Sequence, residues 1–321
     1  MPWILAADAV PLDVPTWFWE AFMGGVVVLL VLDMVVFHRK PHEVRTREAV
    51  GWTIFWIALA LLFNVWIWRQ FGSKHAIDFF TAYFVEKSLS VDNLFVFLLI
   101  FDSFHVPPVL QHRVLFFGII GAIVIRLGFI LAGVALLSAA HWVNYVFGAI
   151  LVLTAVKLLV QKEEKDPTKG LVVRVLQRTV PFVPEYHGGK LTIVKDGRRV
   201  ATMMLLVILV IEATDVVFAV DSIPACLAIT QETFIVFTSN IFAILGLRAI
   251  DFLLARFMSS FRYLKPGLAL VLGFVGVKMF KFFDIGSGPS LAVIAAILTA
   301  ATVASILHPQ EKKAAADTPH E

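Results

Sequence analysis

The chain has 321 residues, of which 59% are hydrophobic, 13% aromatic and 16% charged. An ordinary soluble domain has a smaller apolar share and more charge, so this composition excludes that class and indicates a polytopic membrane protein. The formal net charge of +3 would suit nucleic acid, but the basic residues gather in loops between apolar stretches. That arrangement is typical of membrane topology, so we expect the lipid bilayer as a partner and no nucleic acid.

Apolar stretches recur along the chain, and one bilayer crossing takes about 20 residues. The pattern predicts an all-α membrane protein with about nine transmembrane helices. They are expected at residues 17–37, 48–68, 77–101, 114–137, 142–161, 201–224, 233–255, 264–283 and 289–307.

Lys and Arg are distributed unevenly over the predicted loops, with 19 on one side of the nine spans and 3 on the other. By the positive-inside rule, the richer side is cytoplasmic. The N-terminus is then predicted outside and the C-terminus in the cytoplasm, which requires an odd number of spans.

Three pairs of charged residues recur at nearly the same separation: Asp92 and Asp215 (123 residues), Arg126 and Arg248 (122), and Lys157 and Lys278 (121). This register predicts a repeat of three helices, formed by spans three to five and six to eight. Span three starts outside and span six starts inside, so the repeats are inverted, as in many secondary transporters. The alternative is a chance match of short apolar segments.

These features divide the chain into seven predicted regions. They are an extracytoplasmic segment 1–16, two bracing helices in 17–76, the first repeat 77–161, a cytoplasmic loop 162–200, the second repeat 201–283, a final helix in 284–308 and a disordered cytoplasmic tail 309–321. Within the loop, Leu171–Val180 is a candidate amphipathic helix and Asp196-Gly197 is a favoured hairpin turn. The loop is interpreted as a solvated connector or as a docking segment.

Span three carries an acidic cluster inside its apolar stretch. An ionisable group at a bilayer centre costs roughly 3 kcal/mol on insertion scales, so such groups are seldom accidental. Glu86, Ser90 and Asn93 fall at i, i+4 and i+7 and form one oxygen-bearing stripe on a helix. Asp92 lies about 240° from Glu86 on an ideal helix, so it needs local unwinding or a second partner to share the same site.

Span six carries a second acidic cluster. Glu212, Asp215 and Ser222 share one helix face, whereas Asp221 points elsewhere unless the helix loosens before Pro224. Discontinuous helices are common at transporter ion sites because their freed carbonyls become ligands. Local unwinding of both spans is therefore our hypothesis.

Both clusters offer hard oxygen donors, and no His or Cys joins them at depth in the predicted spans. Such donors suit Mn²⁺, Mg²⁺ or Ca²⁺. Five ionised acids and three charged bases leave a net charge of −2, which matches one divalent cation. The predicted metal-binding residues are Glu86, Asp92, Asn93, Glu212, Asp215, Asp221 and Asn240.

The basic residues of these spans have a structural interpretation. Lys87, Arg126 and Arg248 are predicted to neutralise the acids as counter-ions. Asn240 is either a metal ligand or an interhelical hydrogen-bonding residue. Asp33 in span one either belongs to an access path from the cytoplasm or lies at the interface. A purely structural salt-bridge network is the alternative for the whole set.

An enzymatic function is not expected. Two intramembrane aspartates could form a protease dyad, but no Gly-x-Gly-Asp motif contains Asp92 or Asp215. The sequence also contains no phosphate-binding loop, nucleophile elbow or His-Glu-x-x-His motif. Its single cysteine, Cys226, excludes an intrachain disulfide and a thiolate metal cage, and is interpreted as a small apolar residue.

Three segments carry a resemblance to a known family. Residues 86–93 read EKSLSVDN, residues 215–225 read DVVFAVDSIPA and residues 238–248 read TSNIFAILGLR. They resemble the hallmark segments of the TerC family of integral membrane proteins, named after a tellurium-resistance determinant. The similarity extends over roughly residues 20–305.

The resemblance implies a bacterial inner-membrane protein. Members of the family export Mn²⁺ or act otherwise in metal-ion homeostasis. Other members are linked to tellurite resistance or to membrane-protein assembly. The family's acidic positions carry over to Glu86, Asp92, Glu212, Asp215 and Asp221, with Asn93 and Asn240 as companions.

The predicted function is transport of a divalent metal ion, with Mn²⁺ as the favoured substrate and export as the favoured direction. The ion would bind at the midplane, between the inverted repeats, and no cofactor is expected apart from this transported ion. The alternative is a membrane-embedded interaction or assembly protein, associated with tellurium resistance, whose buried charges only hold helices together.

Overall fold

The structure is a computed structural model that describes residues 12–38, 46–160, 173, 175, 181–195, 197–247, 263–280 and 285–307. Within these ranges, the side chains of residues 33–38, 46, 92 and 95 are not described. Within these ranges it contains nine helices and one small sheet. The helices are α1 (Thr16–His38), α2 (Thr46–Phe71), α3 (Ser73–Ser103), α4 (Pro108–Ala139), α5 (Val143–Val160), α6 (Met203–Leu227), α7 (Thr233–Leu245), α8 (Leu264–Met279) and α9 (Ser287–Leu307). The strands are β1 (Phe182–Val183), β2 (Thr192–Lys195) and β3 (Arg198–Thr202).

The nine helices of the described ranges coincide with the nine predicted spans. Among the described residues, five segments are long and apolar enough to cross a membrane by length and composition alone: Arg47–Phe71, Pro108–Ala139, Val143–Val160, Met203–Leu227 and Ser287–Leu307. The prediction of an all-α membrane protein is confirmed, and the small sheet is an addition to it.

Local sequence explains several helix boundaries. Gly72, with a φ of +88°, forms the turn between α2 and α3, a conformation that glycine adopts without steric strain. Helix α4 begins at Pro108, where the missing N–H of proline falls among donors that have no partner in the helix.

The helices α3 and α6 are continuous through both acidic clusters. Pro224 lies one turn before the end of α6, and the helix continues past it to Leu227. A proline so close to a helix end removes a single backbone donor without breaking the preceding turns. The hypothesis of local unwinding near Asp92 and Asp221 is therefore wrong.

Burial divides the helices into inner and outer elements. Helix α7 is buried on all sides from Phe234 to Leu245. The outer helices expose large apolar side chains, including Val28 on α1, Leu62 on α2, Val124 on α4 and Leu153 on α5. An apolar exterior of this kind suits lipid rather than water.

Helices α5 and α8 approach each other closely. A Cβ atom added to Gly148 would lie 2.8 Å from the carbonyl oxygen of Gly276. Backbones approach so closely only where small residues line the contact, a common device in membrane helices. Gly148 therefore sets the separation of these two helices.

Gly148→Ala is expected to lower stability by about 1–3 kcal/mol, because the α8 backbone would have to move aside. Gly128→Ala is the matched control: that glycine is exposed on α4, and an added Cβ meets nothing within 4 Å. The control should be neutral or stabilising by up to about 1 kcal/mol. Thermal unfolding in detergent measures both variants, and equal melting temperatures would contradict the close approach.

The sheet has the strand order β1-β3-β2, with β1 parallel and β2 antiparallel to β3. The hairpin predicted at residues 196 and 197 is confirmed, since Lys195 pairs with Arg198 and Gly197 has a φ of +73°. The hydroxyl of Tyr186 donates to the carbonyl of Phe104 at 2.9 Å and attaches the sheet to the turn after α3. The amphipathic helix predicted at Leu171–Val180 lies outside the described residues, apart from Val173 and Val175.

Burial raises the pKa of Tyr186 to about 12, whereas an unfolded tyrosine ionises near pH 10. The folded chain therefore holds this proton more tightly, and stability should fall as the pH rises from about 10 to about 12. Melting temperatures measured across that range should decline less steeply in Tyr186→Phe than in the wild type. Parallel curves would contradict the assignment.

Candidate functional site

Arg126 of α4 is fully buried where four helices meet, and its guanidinium is the centre of the candidate site. Its Nη1 donates to Oε1 of Glu86 on α3 and, at 2.7 Å, to Oδ1 of Asn240 on α7. Two contacts reach α6, one from Nη1 to Ser222 Oγ at 3.3 Å and one from Nη2 to Asp215 Oδ1 at 3.4 Å. We call these five residues the Arg126 centre. One guanidinium thus joins α3, α4, α6 and α7.

Glu86 is the acid with the most donors in the centre. Besides Arg126, the Ser90 hydroxyl donates to Oε1 at 3.2 Å, which the i, i+4 spacing explains. The Cys226 thiol donates to Oε2 at 3.7 Å and accepts from Nδ2 of Asn240 at 3.4 Å. Both oxygens of Glu86 therefore have a donor, as a buried carboxylate requires.

At and beside the Arg126 centre, two carboxylate oxygens are buried without a hydrogen-bond partner among the described residues, Asp215 Oδ2 and Glu212 Oε2. The two acids lie at i and i+3 on α6, so their side chains face the same side. The Glu212 carboxylate lies directly against Gly121 of α4, where any Cβ atom would collide with it. The packing thus leaves room for a second acid next to the centre.

A cavity of about 30 Å³ adjoins Asp215 on the side of the helix ends that are predicted to be cytoplasmic. Apart from Asp215 its wall is apolar, and includes Leu94, Phe97, Ile119 and Ile211. A volume of this size holds about one water molecule.

A larger cavity of about 540 Å³ lies at the opposite ends of the helices. Its wall includes the polar side chains of Asn144, Gln231, Lys278 and Ser287. Leu227, which follows the Cys226 of the centre, is also part of this wall. The Arg126 centre therefore lies between a narrow apolar cavity and a wide polar one.

Four of the predicted site residues come together in the centre: Glu86, Asp215 and Asn240, with Arg126 as their predicted counter-ion. Glu212 lies beside them, and Asn93 is buried further along α3. Arg126 pairs with acids on two other helices.

Two predicted site residues lie elsewhere. The Asp221 carboxylate accepts a hydrogen bond from Thr154 of α5 at 2.7 Å, outside the centre. The Lys87 ammonium donates to the carbonyl of Ala243 at 3.0 Å, so within the described residues it binds α7 rather than an acid. Lys87 follows Glu86 by one residue and is turned by about 100° to another helix face, which explains the difference.

Three predicted positions lie outside what the structure describes: the side chains of Asp33 and Asp92, and Arg248 altogether. Two contributors were missed by sequence reasoning, Cys226 and Gly121. Cys226 follows Asp215 by 11 residues, about three helical turns, and this spacing is a signal that places it on the same face. The role of Gly121 depends on which side chain the neighbouring helix presents, so no sequence signal reveals it.

Within the described residues, no group of three His, Cys, Asp or Glu side chains is arranged to hold a metal ion. Glu86 and Asp215 bind the Arg126 guanidinium instead. If Glu86, Asp215 and Glu212 are ionised, three negative charges face one positive charge. The Arg126 centre and Glu212 would then carry a net charge of −2.

Comparison with known families now bears on this arrangement. The profile described as integral membrane protein TerC family matches residues 71–313. The chain belongs to the TerC family. The matched region starts at the turn before α3 and contains the whole Arg126 centre, whereas α1 and nearly all of α2 precede it.

Relatives of the TerC family align over nearly their whole length. The membrane protein STKORF319 of Myxococcus xanthus, named as uncharacterised, is 48% identical over 292 residues, covering 90% of this chain and 92% of the relative. The Alx proteins bear a name that proposes a membrane-bound redox modulator. The Salmonella typhi protein is 42% identical over 309 residues (92% and 96% covered) and that of Escherichia coli K12 is 41% identical over 292 residues (87% and 91%). No solved structure matches the chain.

Arg126→Gln is expected to destabilise the protein by about 3–5 kcal/mol, because it leaves two buried carboxylates without a counter-ion. Asp102→Asn, which changes an exposed acid at the end of α3, is the control and should stay within about 0.5 kcal/mol of the wild type. Denaturant unfolding in detergent measures both. Adding Glu86→Gln to Arg126→Gln should restore part of the loss, and a further loss of similar size would contradict the pairing.

Proposed function

We propose that this TerC protein transports a divalent metal ion across the bacterial inner membrane, with Mn²⁺ as the favoured substrate and export as the direction. The observation that supports this best is the pair of unpartnered carboxylate oxygens on Asp215 and Glu212, next to a buried guanidinium. A buried anionic oxygen without a donor is costly in free energy. Such oxygens suit a site that receives a cation at another stage of a transport cycle.

The chemistry of the donors supports a hard divalent cation. The carboxylates of Glu86, Asp215 and Glu212 and the amide of Asn240 are oxygen ligands of the kind that Mn²⁺, Mg²⁺ and Ca²⁺ prefer. The choice of Mn²⁺ among them rests on the family. Asp92 and Asn93 are proposed to join the site when it opens, and Asp33 remains a candidate for the cytoplasmic access path.

Arg126 and a metal ion would occupy the same space between the carboxylates, so the two exclude one another. In the described conformation the guanidinium lies between the carboxylates of Glu86 and Asp215. Ion binding requires that Arg126 withdraw from Asp215 or that α4 move away from α6.

The helix pairing supports an inverted repeat, with α3 to α5 corresponding to α6 to α8. In such a repeat, α3 is equivalent to α6, α4 to α7 and α5 to α8. The contact of α3 with α7 is then equivalent to the contact of α6 with α4, and the structure contains both. Helices α5 and α8 are equivalent to each other, so the contact between them is its own counterpart. Rocking of one repeat against the other would expose the centre to each of the two cavities in turn, with the wide one facing outward.

One observation favours a second candidate function. A guanidinium that binds residues of three other helices is also what a purely structural network would contain. In that case the protein would be a membrane-embedded interaction or assembly protein. The name of the Alx relatives proposes a redox role. A redox role based on thiols has little support in this chain, because the single Cys226 cannot form an intrachain disulfide. We propose no enzymatic activity.

Purified protein reconstituted into vesicles is expected to carry Mn²⁺ across the bilayer. Asp215→Asn and Asp92→Asn should abolish this flux while the protein stays folded and monodisperse, because each removes a charge that the ion needs. The exposed acid Asp102 supplies the matched control, Asp102→Asn, which should transport like the wild type. A folded wild-type protein that moves no divalent ion would refute transport and favour the interaction function.

A further inference from the structure

An exposed basic surface lies at the end of the bundle where α3 ends and where α4 and α6 begin. Its members are distant in sequence but all are exposed: Arg113, Lys190, Lys195, Arg198 and Arg199. We call this set the basic surface. It belongs to the predicted cytoplasmic side and is separate from the Arg126 centre.

The basic surface is held firmly on the helix ends. The guanidinium of Arg113 on α4 lies against Gly189, with Nη1 at 2.8 Å from where a Cβ of that glycine would be. The Thr202 hydroxyl, at the buried end of β3, donates to the carbonyl of Lys190 at 2.7 Å. Together with the bond from Tyr186 to Phe104, these contacts hold Arg113 and the base of the sheet against the helix ends.

Within the sheet the charges repel one another. Lys195 and Arg198 are directly opposite in the pairing of β2 with β3, and like charges in that position destabilise a strand pair. The acid that the structure describes in this segment is Glu185, whose carboxylate faces His187 at 3.7 Å. Asp196 lies outside the described residues. An external anion would relieve the repulsion between Lys195 and Arg198.

The location of the surface identifies that anion. Strand β3 continues without a break into α6, which is apolar and long enough to cross a membrane. Arg198 is five residues from the start of α6, at most about 17 Å along an extended strand. Arg113 lies between one and two turns into α4, which is also long enough to span. The surface therefore lies immediately beside the ends of two helices that are long enough to span a membrane, next to the lipid headgroups.

We propose that the basic surface binds the headgroups of anionic phospholipids in the leaflet next to the sheet. Basic clusters immediately beside a transmembrane helix attract such lipids through their phosphate groups. The strand pair then becomes more rigid, because the headgroups neutralise Lys195 and Arg198. This role does not depend on which ion, if any, passes through the Arg126 centre.

The test compares full-length protein in nanodiscs of phosphatidylcholine alone with nanodiscs that also contain phosphatidylglycerol. Hydrogen exchange of residues 190–200 should slow in the anionic discs, and native mass spectrometry should detect retained phosphatidylglycerol. Lys195→Gln/Arg198→Gln should reduce this lipid preference roughly tenfold or more. Arg69→Gln/Lys74→Gln, which removes two exposed bases at the opposite helix ends, is the control and should retain the protection.

Equal exchange rates in the two kinds of disc would overturn the proposal. An equal loss of protection in the control variant would also overturn the proposal, because the effect would then not depend on where the two bases lie. Inorganic phosphate added to phosphatidylcholine discs tests the source of the anion, and full protection by free phosphate would refute a lipid site. The wild type alone supplies a further check, because protection that survives high salt contradicts headgroup attraction between exposed charges.

Discussion

A guanidinium buried among membrane-length helices is the constraint on which the rest of the structure depends. Arginine stays charged at any pH that a protein meets, so Arg126 cannot be neutralised by losing a proton. Its charge has to be met by acids from neighbouring helices, and Glu86 and Asp215 supply them. Because each partner comes from a different helix, these contacts fix how α3, α4, α6 and α7 are rotated about their axes.

The same requirement extends outward from the centre. Inside an apolar helix bundle, a polar group is best satisfied by a partner on another helix, and several buried groups follow this rule. Lys87 joins α3 to α7 through the carbonyl of Ala243, and Asp221 joins α6 to α5 through Thr154. Lys87 and Asp221 thus stabilise other interhelical contacts, whereas the Arg126 centre brings together two of the predicted acids, Glu86 and Asp215.

Sequence periodicity was sufficient for every property that a helix determines on its own. It placed the nine helices, the stripe that contains Glu86 and Ser90, and the shared face of Glu212 and Asp215. It failed where the outcome depends on a neighbouring helix. The partner of Lys87 is a backbone carbonyl, which sequence patterns do not distinguish, and the place of Glu212 depends on the absent side chain of Gly121. Local unwinding was expected so that Asp92 and Asp221 could reach the same site as the other acids. The helices are instead continuous, and Asp221 binds Thr154.

The two acids of the centre are not equivalent, and the difference bears on the proposed transport. Glu86 has donors on both oxygens, including the closest contact of Arg126, whereas Asp215 meets Arg126 through one oxygen at 3.4 Å and leaves the other unpaired. Separation of the centre would therefore begin at Asp215, because fewer hydrogen bonds are lost there. Glu86 would keep the guanidinium, while Asp215 and Glu212 on α6 would present two carboxylates to the entering ion. A divalent cation suits that pair, since two negative charges on one helix face repel one another until a cation of equal charge binds between them.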